Sequence, residues 1–319
     1  MPIITSLQNL RVKDAVRLRD GRHREKQGRI LIDGARELRR AIDAGVKLIE
    51  AFVCEPLCHG DDARHLLAAL PQCGGEVWHV AAAVFERLAF GQRAEGVLGV
   101  AEIPKPTLAD LASTLGGRST AESVPLLRRS SAGRSPLSGT ACKQAVAHSG
   151  EKCGLGSAAP LVAVLEGVEK PGNVGAVLRS ADAAGVSAVI VADGRTDLYN
   201  PNAIRASLGT IFTMPVCEAA SRDVLAWLRE RNFTIATARV DGSIPYTEVD
   251  YRGPTAIVLG SEAAGLSPIW TGSDVQAVRL PMLGAADSLN VSVTAAVLFY
   301  EALRQRDSTI HGLAKHLLS

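Results

Sequence analysis

Residues 280–301 read Leu280-Pro-Met-Leu-Gly-Ala-Ala-Asp-Ser-Leu-Asn-Val-Ser-Val-Thr-Ala-Ala-Val-Leu-Phe-Tyr-Glu301, and this stretch decides the fold. Its pattern predicts a buried strand, a loop of small residues, and an apolar helix that begins after Asp287, Ser288 and Asn290. In open α/β sheets, ligands bind beside the carboxyl ends of the strands. We therefore expect an α/β fold whose site lies where this strand ends.

Two earlier segments have the same form, Asn173–Arg179 and Ile257–Ser267. From residue 161 onward, short apolar runs alternate with helical patterns, as in a parallel sheet that is covered on both faces. The predicted strands are Leu161–Leu165, Ala188–Val191, Thr234–Thr237, Ala256–Leu259 and Val275–Leu280. These elements predict a C-terminal α/β domain over residues 159–319.

Composition limits the classes to which the chain can belong. At 319 residues with 47% hydrophobic content, it can form two domains, and global disorder is excluded. The net charge is only +2, so any nucleic-acid binding has to come from local charge. Six cysteines are too sparse for a disulfide scaffold. Neither a signal peptide nor an apolar run of about 20 residues is visible, which predicts a cytoplasmic protein without a membrane span.

The N-terminal half divides into two zones. Residues 1–110 mix a helical pattern at Leu38–Ile49 with strand patterns at Leu48–Cys54 and Gly96–Ala101, which predicts a first, smaller domain. Residues 111–158 are rich in Ser, Gly, Thr and Ala with scattered basic residues and keep no apolar period. We interpret them as a flexible basic linker or insertion.

Two competing motifs fail on their context. Gly154–Ala159 imitates a dinucleotide fingerprint, but it precedes its strand and is followed by Pro160, which argues against a nicotinamide-dependent oxidoreductase. Cys54, Cys58 and His59, together with Cys73, have no standard zinc spacing. We therefore predict no metal site.

The last helix, predicted from Leu289 to about Arg306, is apolar on two faces. One face carries Val291, Ala295 and Leu298, and the other carries Val293, Ala296, Val297 and Tyr300. A helix with one solvent-facing side carries polar residues on that side. One face can cover the sheet, and the second face predicts contact with another subunit.

The polar motifs resemble, in order along the chain, those of the SpoU/TrmH family of RNA ribose 2'-O-methyltransferases. The matching segments are Asn173–Arg179, Gly260–Ser267 and Pro281–Glu301. Arg205–Gly209, followed by Phe212–Val216, is similar to the connecting segment of that family. The resemblance covers residues 161–306.

The N-terminal zone is similar to the ribosomal-protein-like substrate-binding domain that many members of the family carry. Its cues are Thr5–Asn9, Arg24–Gly28 and Leu31–Gly34, with Asp33 standing where the family usually has Glu. The resemblance implies a C-terminal, trefoil-knotted, parallel-sheet methyltransferase domain beside a smaller N-terminal α/β RNA-binding domain. It further implies S-adenosylmethionine as the cofactor and a homodimer with active sites at or near the subunit interface.

By the same resemblance, five residues are candidate catalytic groups: Arg179, Glu262, Ser288, Asn290 and Asn173. The candidate cofactor-binding residues are Thr237, Leu259, Gly260, Leu280, Met282 and Leu289. We expect Arg179 to orient the ribose hydroxyl and stabilise its developing charge, because a guanidinium has no acceptor for a proton. Structural roles remain open beside these. Glu262 can interact favourably with the dipole at a helix N-terminus. The other three, Ser288, Asn290 and Asn173, can each cap a helix.

A surplus of basic residues in the first 40 positions predicts an RNA phosphate footprint. The candidate RNA-binding residues are Arg22, Arg24, Lys26, Arg29 and Arg205. Ribosomal RNA is the expected substrate, since a separate N-terminal domain suits a large folded target. A transfer RNA methyltransferase and a non-catalytic RNA-binding protein of the same fold are the alternatives.

Overall fold

The computed structural model describes residues 3–90, 95–116 and 159–307. Two sheets organise the described residues, a four-stranded sheet within residues 29–102 and a seven-stranded sheet within residues 161–279. Helices flank both sheets, so each buries apolar residues on its two faces. The predicted mixed α/β class is confirmed.

The N-terminal part forms the smaller sheet. Its helices are α1 (Leu10–Arg17), α2 (Gly21–Gln27), α3 (Ala35–Asp43), α4 (Asp61–Ala69) and α5 (Ala82–Leu88), and its strands are β1 (Arg29–Asp33), β2 (Leu48–Val53), β3 (Glu76–His79) and β4 (Val97–Glu102). Short 3-10 turns lie at Glu55–Leu57 and Leu70–Gln72. The strand order is β1-β4-β2-β3, with β4 antiparallel to both neighbours.

One helical prediction in this part was wrong in its bounds. The helix expected over Leu38–Ile49 is α3, which begins at Ala35 and ends at Asp43. Gly45 adopts a left-handed φ of 82°, a conformation that ends a helix and that glycine reaches without a side-chain clash. The two strands expected beside it are present as β2 and β4.

The C-terminal part forms the larger sheet. Its strands are β5 (Leu161–Glu166), β6 (Ala188–Ala192), β7 (Val216–Ala219), β8 (Thr234–Ala238), β9 (Ile244–Pro245), β10 (Thr255–Leu259) and β11 (Val275–Arg279). The helices are α6 (Leu108–Gly116), α7 (Pro171–Ala183), α8 (Pro201–Ala206), α9 (Thr210–Thr213), α10 (Ser221–Glu230) and α11 (Val291–Arg306).

The strand order of the larger sheet is β7-β6-β5-β10-β8-β11-β9, and every pair in it is parallel. Within this register Leu259 lies between Leu165 on β5 and Ala238 on β8. The carboxyl ends of these three strands are therefore level, and the loops that follow them share one edge of the sheet. The trefoil knot stays a prediction.

The predicted linker differs from the structure at its first residues. Helix α6 runs from Leu108 to Gly116 and so crosses the expected boundary at residue 110. Leu111 is only 2% exposed and packs in the same apolar cluster as Val162 and Cys217 of the larger sheet. Residues 111–116 thus cover the C-terminal sheet. The remainder of the predicted linker, 117–158, lies outside the described residues.

Candidate active site

The first motif opens helix α7, but Asn173 does not cap it. The N-cap is Lys170, and Pro171 is the first helical residue. The N–H at that position has no partner within a helix, so the missing N–H of proline costs no hydrogen bond. Asn173 lies in the first turn, so its side chain is free to bond elsewhere. The expectation that Asn173 is the N-cap is therefore corrected.

The side chain of Asn173 joins the three motifs. Its Nδ2 donates to Oε1 of Glu262, and its Oδ1 accepts from Nδ2 of Asn290 at 3.3 Å. These partners stand 89 and 117 positions away along the chain. One continuous network of hydrogen bonds thus connects the loops after β5, β10 and β11 at the carboxyl edge of the sheet.

Asn290, and not Ser288, caps the last helix. Its Oδ1 accepts from the backbone N of Ser292 at 2.9 Å and from the Ser292 hydroxyl at 2.6 Å. Because the oxygen serves the helix while Nδ2 serves Asn173, the cap fixes the orientation of the amide. Ser288 is exposed and makes no hydrogen bond with any described residue.

Glu262 lies at the tip of a tight turn. Ser261 and Gly265 exchange two backbone hydrogen bonds of 3.0 and 3.1 Å, and residues 262–264 form the turn between them. A Cβ on Gly260 would overlap the backbone of Gly265, so only glycine allows this closure. Since no helix begins at this point, the dipole role considered for Glu262 does not apply.

Glu166, which the motifs did not point to, fixes the segment that follows this turn by hydrogen bonds. The residue ends β5, is 5% exposed, and accepts from the Ser221 hydroxyl at 2.8 Å. It also accepts from the Ser267 hydroxyl at 2.6 Å and the Ser267 backbone N at 2.7 Å. An acidic residue that directly follows five buried apolar residues was the available signal, because a carboxylate in that position needs several donors.

Arg179 lies six residues beyond Asn173 on α7. It is exposed and makes no hydrogen bond or ion pair with any described residue, so its guanidinium is available to a ligand. The small residue Gly175, four positions before Arg179, suggests in the sequence that there is room for a ligand beside the arginine. Instead Gly175 is buried against α8, where a Cβ would overlap the carbonyl oxygen of Ala203.

The candidate cofactor residues fall into two groups. Thr237 and Leu259 are buried near the ends of β8 and β10, with the Thr237 hydroxyl donating to the Gln276 carbonyl at 3.3 Å. Gly260 is half-buried at the start of the tight turn. Leu280 and Met282 are half-buried and Leu289 is 40% exposed along the loop that follows β11.

The loop over residues 281–289 has an open backbone. None of its N–H or C=O groups forms a hydrogen bond with another described residue. Polar backbone groups at fixed positions beside apolar side chains are what a heteroaromatic ring with donors and acceptors on its edge requires. The loop therefore fits a nucleoside-like ligand.

The candidate RNA-binding residues differ in how far their side chains are exposed. Arg22 and Lys26 are exposed and Arg29 is half-buried, and none of the three pairs with a described acidic residue. Arg24 is 1% exposed and its Nε donates to Oδ2 of Asp197 at 2.6 Å, so it has no surface for a phosphate. This corrects the expectation that Arg24 lies on the RNA-binding surface.

Arg205 lies where the two parts of the chain meet. Its Nη1 donates to the carbonyl of Phe90, and it borders a small cavity of about 100 Å³ together with Asp33 and Glu37. Burial raises the pKa of Asp33 to about 6, an effect that its bond from the Phe90 backbone N and the charge of Arg205 partly oppose. Arg205 is thus engaged within the protein and is not a free phosphate contact.

Helix α11 presents its second apolar face to solvent. Val293 is 47% and Tyr300 51% exposed, whereas Val291, Ala295 and Leu298 on the other face are buried. Within residues 3–90, 95–116 and 159–307, no helix is long and apolar enough to cross a membrane. The same residues contain no group of three or more potential metal-ligating side chains.

Two family models match the chain. The model described as the SpoU rRNA Methylase family matches residues 160–300, and the model described as an MRM3-like substrate binding domain matches residues 9–99. A solved RNA 2'-O ribose methyltransferase is 36% identical, with a TM-score of 0.72 over 96% of this chain and 99% of its own. An AdoMet-bound rRNA methyltransferase from Sinorhizobium meliloti, 24% identical with a TM-score of 0.74 over 96% of this chain and 99% of its own, has the same fold.

The matches to curated relatives cover less than half of this chain. The 23S rRNA (uridine(2479)-2'-O)-methyltransferase of Streptomyces viridochromogenes is 36% identical over 144 residues, which are 43% of this chain and 50% of that protein. The 23S rRNA (guanosine-2'-O-)-methyltransferase RlmB of Pseudomonas syringae is 36% identical over 150 residues, 47% of this chain and 60% of that protein. The chain thus spans about half the length of the curated relatives it matches.

Proposed function

This chain belongs to the SpoU rRNA methylase family, and from that premise we propose that it methylates a ribose 2'-hydroxyl of ribosomal RNA. The methyl donor in this proposal is S-adenosylmethionine. The observation that carries the proposal is the network in which Asn173 bonds to both Glu262 and Asn290. It gathers polar groups from three distant motifs beside a loop with an open backbone, which is the arrangement that a transfer between two bound ligands needs.

Each residue of the network has a task that follows from its position. The Asn173 bridge and the Asn290 cap hold the three loops at fixed distances, so that two ligands meet in one orientation. Glu262, which accepts from Asn173, can also accept a hydrogen bond from a ribose hydroxyl. Exposed Ser288 offers a further donor and acceptor beside the same network.

Arg179 acts on the attacking oxygen. Its guanidinium donates hydrogen bonds and accepts none, so it orients the 2'-hydroxyl and stabilises the negative charge that develops there. It is exposed and unpaired within the described part of the chain, so binding a hydroxyl or its neighbouring phosphate breaks no existing bond. Removal of one such donor typically lowers kcat by about 100-fold to 1,000-fold.

The loop over residues 281–289 and the turn at Gly260 fit S-adenosylmethionine. The free N–H and C=O groups of the loop can pair with the edge of adenine, and Leu280, Met282 and Leu289 can pack against its ring. Once bound, S-adenosylmethionine supplies an electrophilic methyl group on a sulfonium. The residues of the chain orient the ribose oxygen in line with that methyl group and its sulfur. The new O–C bond would replace the S–C bond of the donor, and the hydroxyl proton would be released to water.

Ribosomal RNA is the proposed substrate because the SpoU rRNA Methylase family model and the relatives named 23S rRNA methyltransferases favour it over transfer RNA. The network of Asn173, Glu262 and Asn290, together with the unpaired guanidinium of Arg179, favours a catalytic protein over a non-catalytic RNA-binding protein of the same fold. We also propose that the trefoil knot forms and that the chain works as a cytoplasmic homodimer. The exposed apolar face of α11, with Val293 and Tyr300, supports the dimer.

A methyl-transfer assay with labelled S-adenosylmethionine tests this function. We expect incorporation into unmodified 23S ribosomal RNA that exceeds incorporation into transfer RNA, and a loss of about 100-fold or more in Arg179→Ala. Arg252→Ala is the matched control, because Arg252 is exposed and paired with Asp250 away from the network. Equal activity of Arg179→Ala and wild type would contradict the mechanism, and absence of transfer to any RNA would contradict the function.

A further inference from the structure

We propose that the ion pair between buried Arg24 and half-buried Asp197 is a positioning device that holds α2 beside the methyl-transfer site. In this arrangement Arg22 and Lys26 bind the phosphate backbone of the RNA substrate. The inference rests on the proposed function, because its partner is the RNA that the candidate active site would methylate. It gives Arg24 a role through its neighbours and not through contact with RNA.

The ion pair is specified by bonds in several directions. Nε of Arg24 donates to Oδ2 of Asp197 at 2.6 Å, and its Nη1 donates to the Leu18 carbonyl at 2.7 Å. The other oxygen of Asp197 accepts from the backbone N of Tyr199 at 2.8 Å. The Arg24 side chain is 2% exposed and that of Asp197 35%, so the guanidinium is shielded from water while the carboxylate is half-buried. A buried charge that loses its partner is strongly unfavourable, which makes this geometry the preferred one.

The anchor lies at the edge of the sheet that carries the candidate active site. Asp197 belongs to the loop that follows β6, the parallel neighbour of β5. In the same loop, Arg195 pairs with Glu169 at 2.9 Å, just before α7 begins. The loop that receives Arg24 is therefore tied to the segment that leads into Asn173 and Arg179.

Helix α2 presents cations that nothing in the described part of the chain neutralises. Arg22 and Lys26 stand four residues apart, so they share one face of the helix. Both are exposed and unpaired. Several surface arginines of the C-terminal part are instead matched with acids, as in the pairs Arg229–Asp274, Arg239–Asp241 and Arg252–Asp250. Unmatched cations on the helix whose buried Arg24 bonds to the loop after β6 are suited to phosphates.

Two other contacts join the N-terminal and C-terminal parts without the ion pair. Nη1 of Arg40 donates to the Leu208 carbonyl at 2.7 Å, and Arg205 donates to the Phe90 carbonyl. Loss of the ion pair should therefore release α2 while the remaining junction stays formed. This makes a variant of Asp197 informative, because the catalytic part remains folded and able to bind its cofactor.

A double-mutant cycle tests the proposal. The variants are Asp197→Asn, the pair Arg22→Gln with Lys26→Gln, and all three together, with Arg252→Gln as the control for loss of an exposed Arg–Asp pair. Affinity for in vitro-transcribed 23S ribosomal RNA is measured against salt concentration. Binding of S-adenosylmethionine is measured in parallel by calorimetry.

The α2 double variant is expected to weaken RNA binding about 10-fold. It should also reduce the slope of log affinity against log salt by about 1.4–1.8, since each lost phosphate contact contributes about 0.7–0.9. Asp197→Asn alone is expected to weaken RNA binding about 10-fold, with cofactor affinity within about 2-fold of wild type. The triple variant is expected to bind no more than about 2-fold more weakly than Asp197→Asn. Arg24→Lys, which keeps the charge but cannot bond to both Asp197 and Leu18, should lie between wild type and Asp197→Asn.

Independent losses, which would make the triple variant about 100-fold weaker than wild type, would overturn the positioning role. Loss of cofactor binding in Asp197→Asn and Arg24→Lys would overturn it too, because the pair would then stabilise the whole fold. The expected cycle together with an absence of methyl transfer would support the anchor and reject the proposed function. The two ideas are therefore separable.

Discussion

Replacement of Glu166 tests how the turn that carries Glu262 is held in place. Glu166→Gln keeps the size of the side chain but leaves a single acceptor oxygen for the Ser221 hydroxyl, the Ser267 hydroxyl and the Ser267 N–H. At least one charged hydrogen bond is lost at a site that is 5% exposed. Bonds of this kind contribute about 1.5–3 kcal/mol each, so we expect the free energy of unfolding to fall by about 2–3 kcal/mol.

The effect of Glu166→Gln on cofactor binding distinguishes a role of Glu166 at the site from a role in stability alone. Ser267 lies two residues after Gly265, which closes the turn over residues 262–264. Glu166→Gln should therefore loosen Glu262 and weaken S-adenosylmethionine binding about 10-fold, or about 1.4 kcal/mol. Ser221→Ala is the matched control, since it removes a bond to the same carboxylate without touching the turn. Urea unfolding and calorimetry with the cofactor measure the two effects. A Glu166→Gln variant that is destabilised but binds cofactor with unchanged affinity would contradict a role of Glu166 in holding the cofactor site.

Three further predictions concern single positions. Asp33→Asn removes a buried carboxyl group whose pKa is raised by burial from 3.8 to about 6. Because the folded state holds this proton more tightly than the unfolded state, wild type should lose about 3 kcal/mol of stability as pH rises from about 4 to 6. Urea unfolding across that pH range should show a smaller loss of stability in the variant. Gly260→Ala should lower the unfolding midpoint and abolish cofactor binding, because the new methyl group meets Gly265, whereas Gly253→Ala, where a Cβ meets nothing, should leave both unchanged. Val293→Lys should convert the proposed homodimer into a monomer in light scattering, and an unchanged mass would show that this face of α11 is not the interface.

The strands of the larger sheet could be predicted because burial on both faces leaves continuous apolar runs. β5, β6, β8, β10 and β11 all lie within a residue or so of their expected bounds. β9 was not predicted, since it is two residues long and pairs only with β11. β7 also went unrecognised, because it is four residues long and its last two residues are not buried. Short edge strands depend on a neighbour that the local sequence does not contain.

The site was predictable in its residues more than in its contacts. The motifs identified Asn173, Glu262 and Asn290, which the structure brings together. Local rules could not decide between possible caps, since several nearby residues have the right side chain and only the backbone path selects one. The burial of Arg24 was equally unpredictable, because its partner Asp197 lies 173 positions away.

We propose that three distant stretches of the chain form one site that methylates a ribose oxygen. The most direct measurement is mass spectrometry of nucleosides from unmodified 23S ribosomal RNA after incubation with the purified protein and S-adenosylmethionine. We expect a 2'-O-methylated nucleoside, which should be absent when Asn290→Ala breaks the network. A methyl group found on a base, or bound cofactor without any methylated nucleoside, would contradict it.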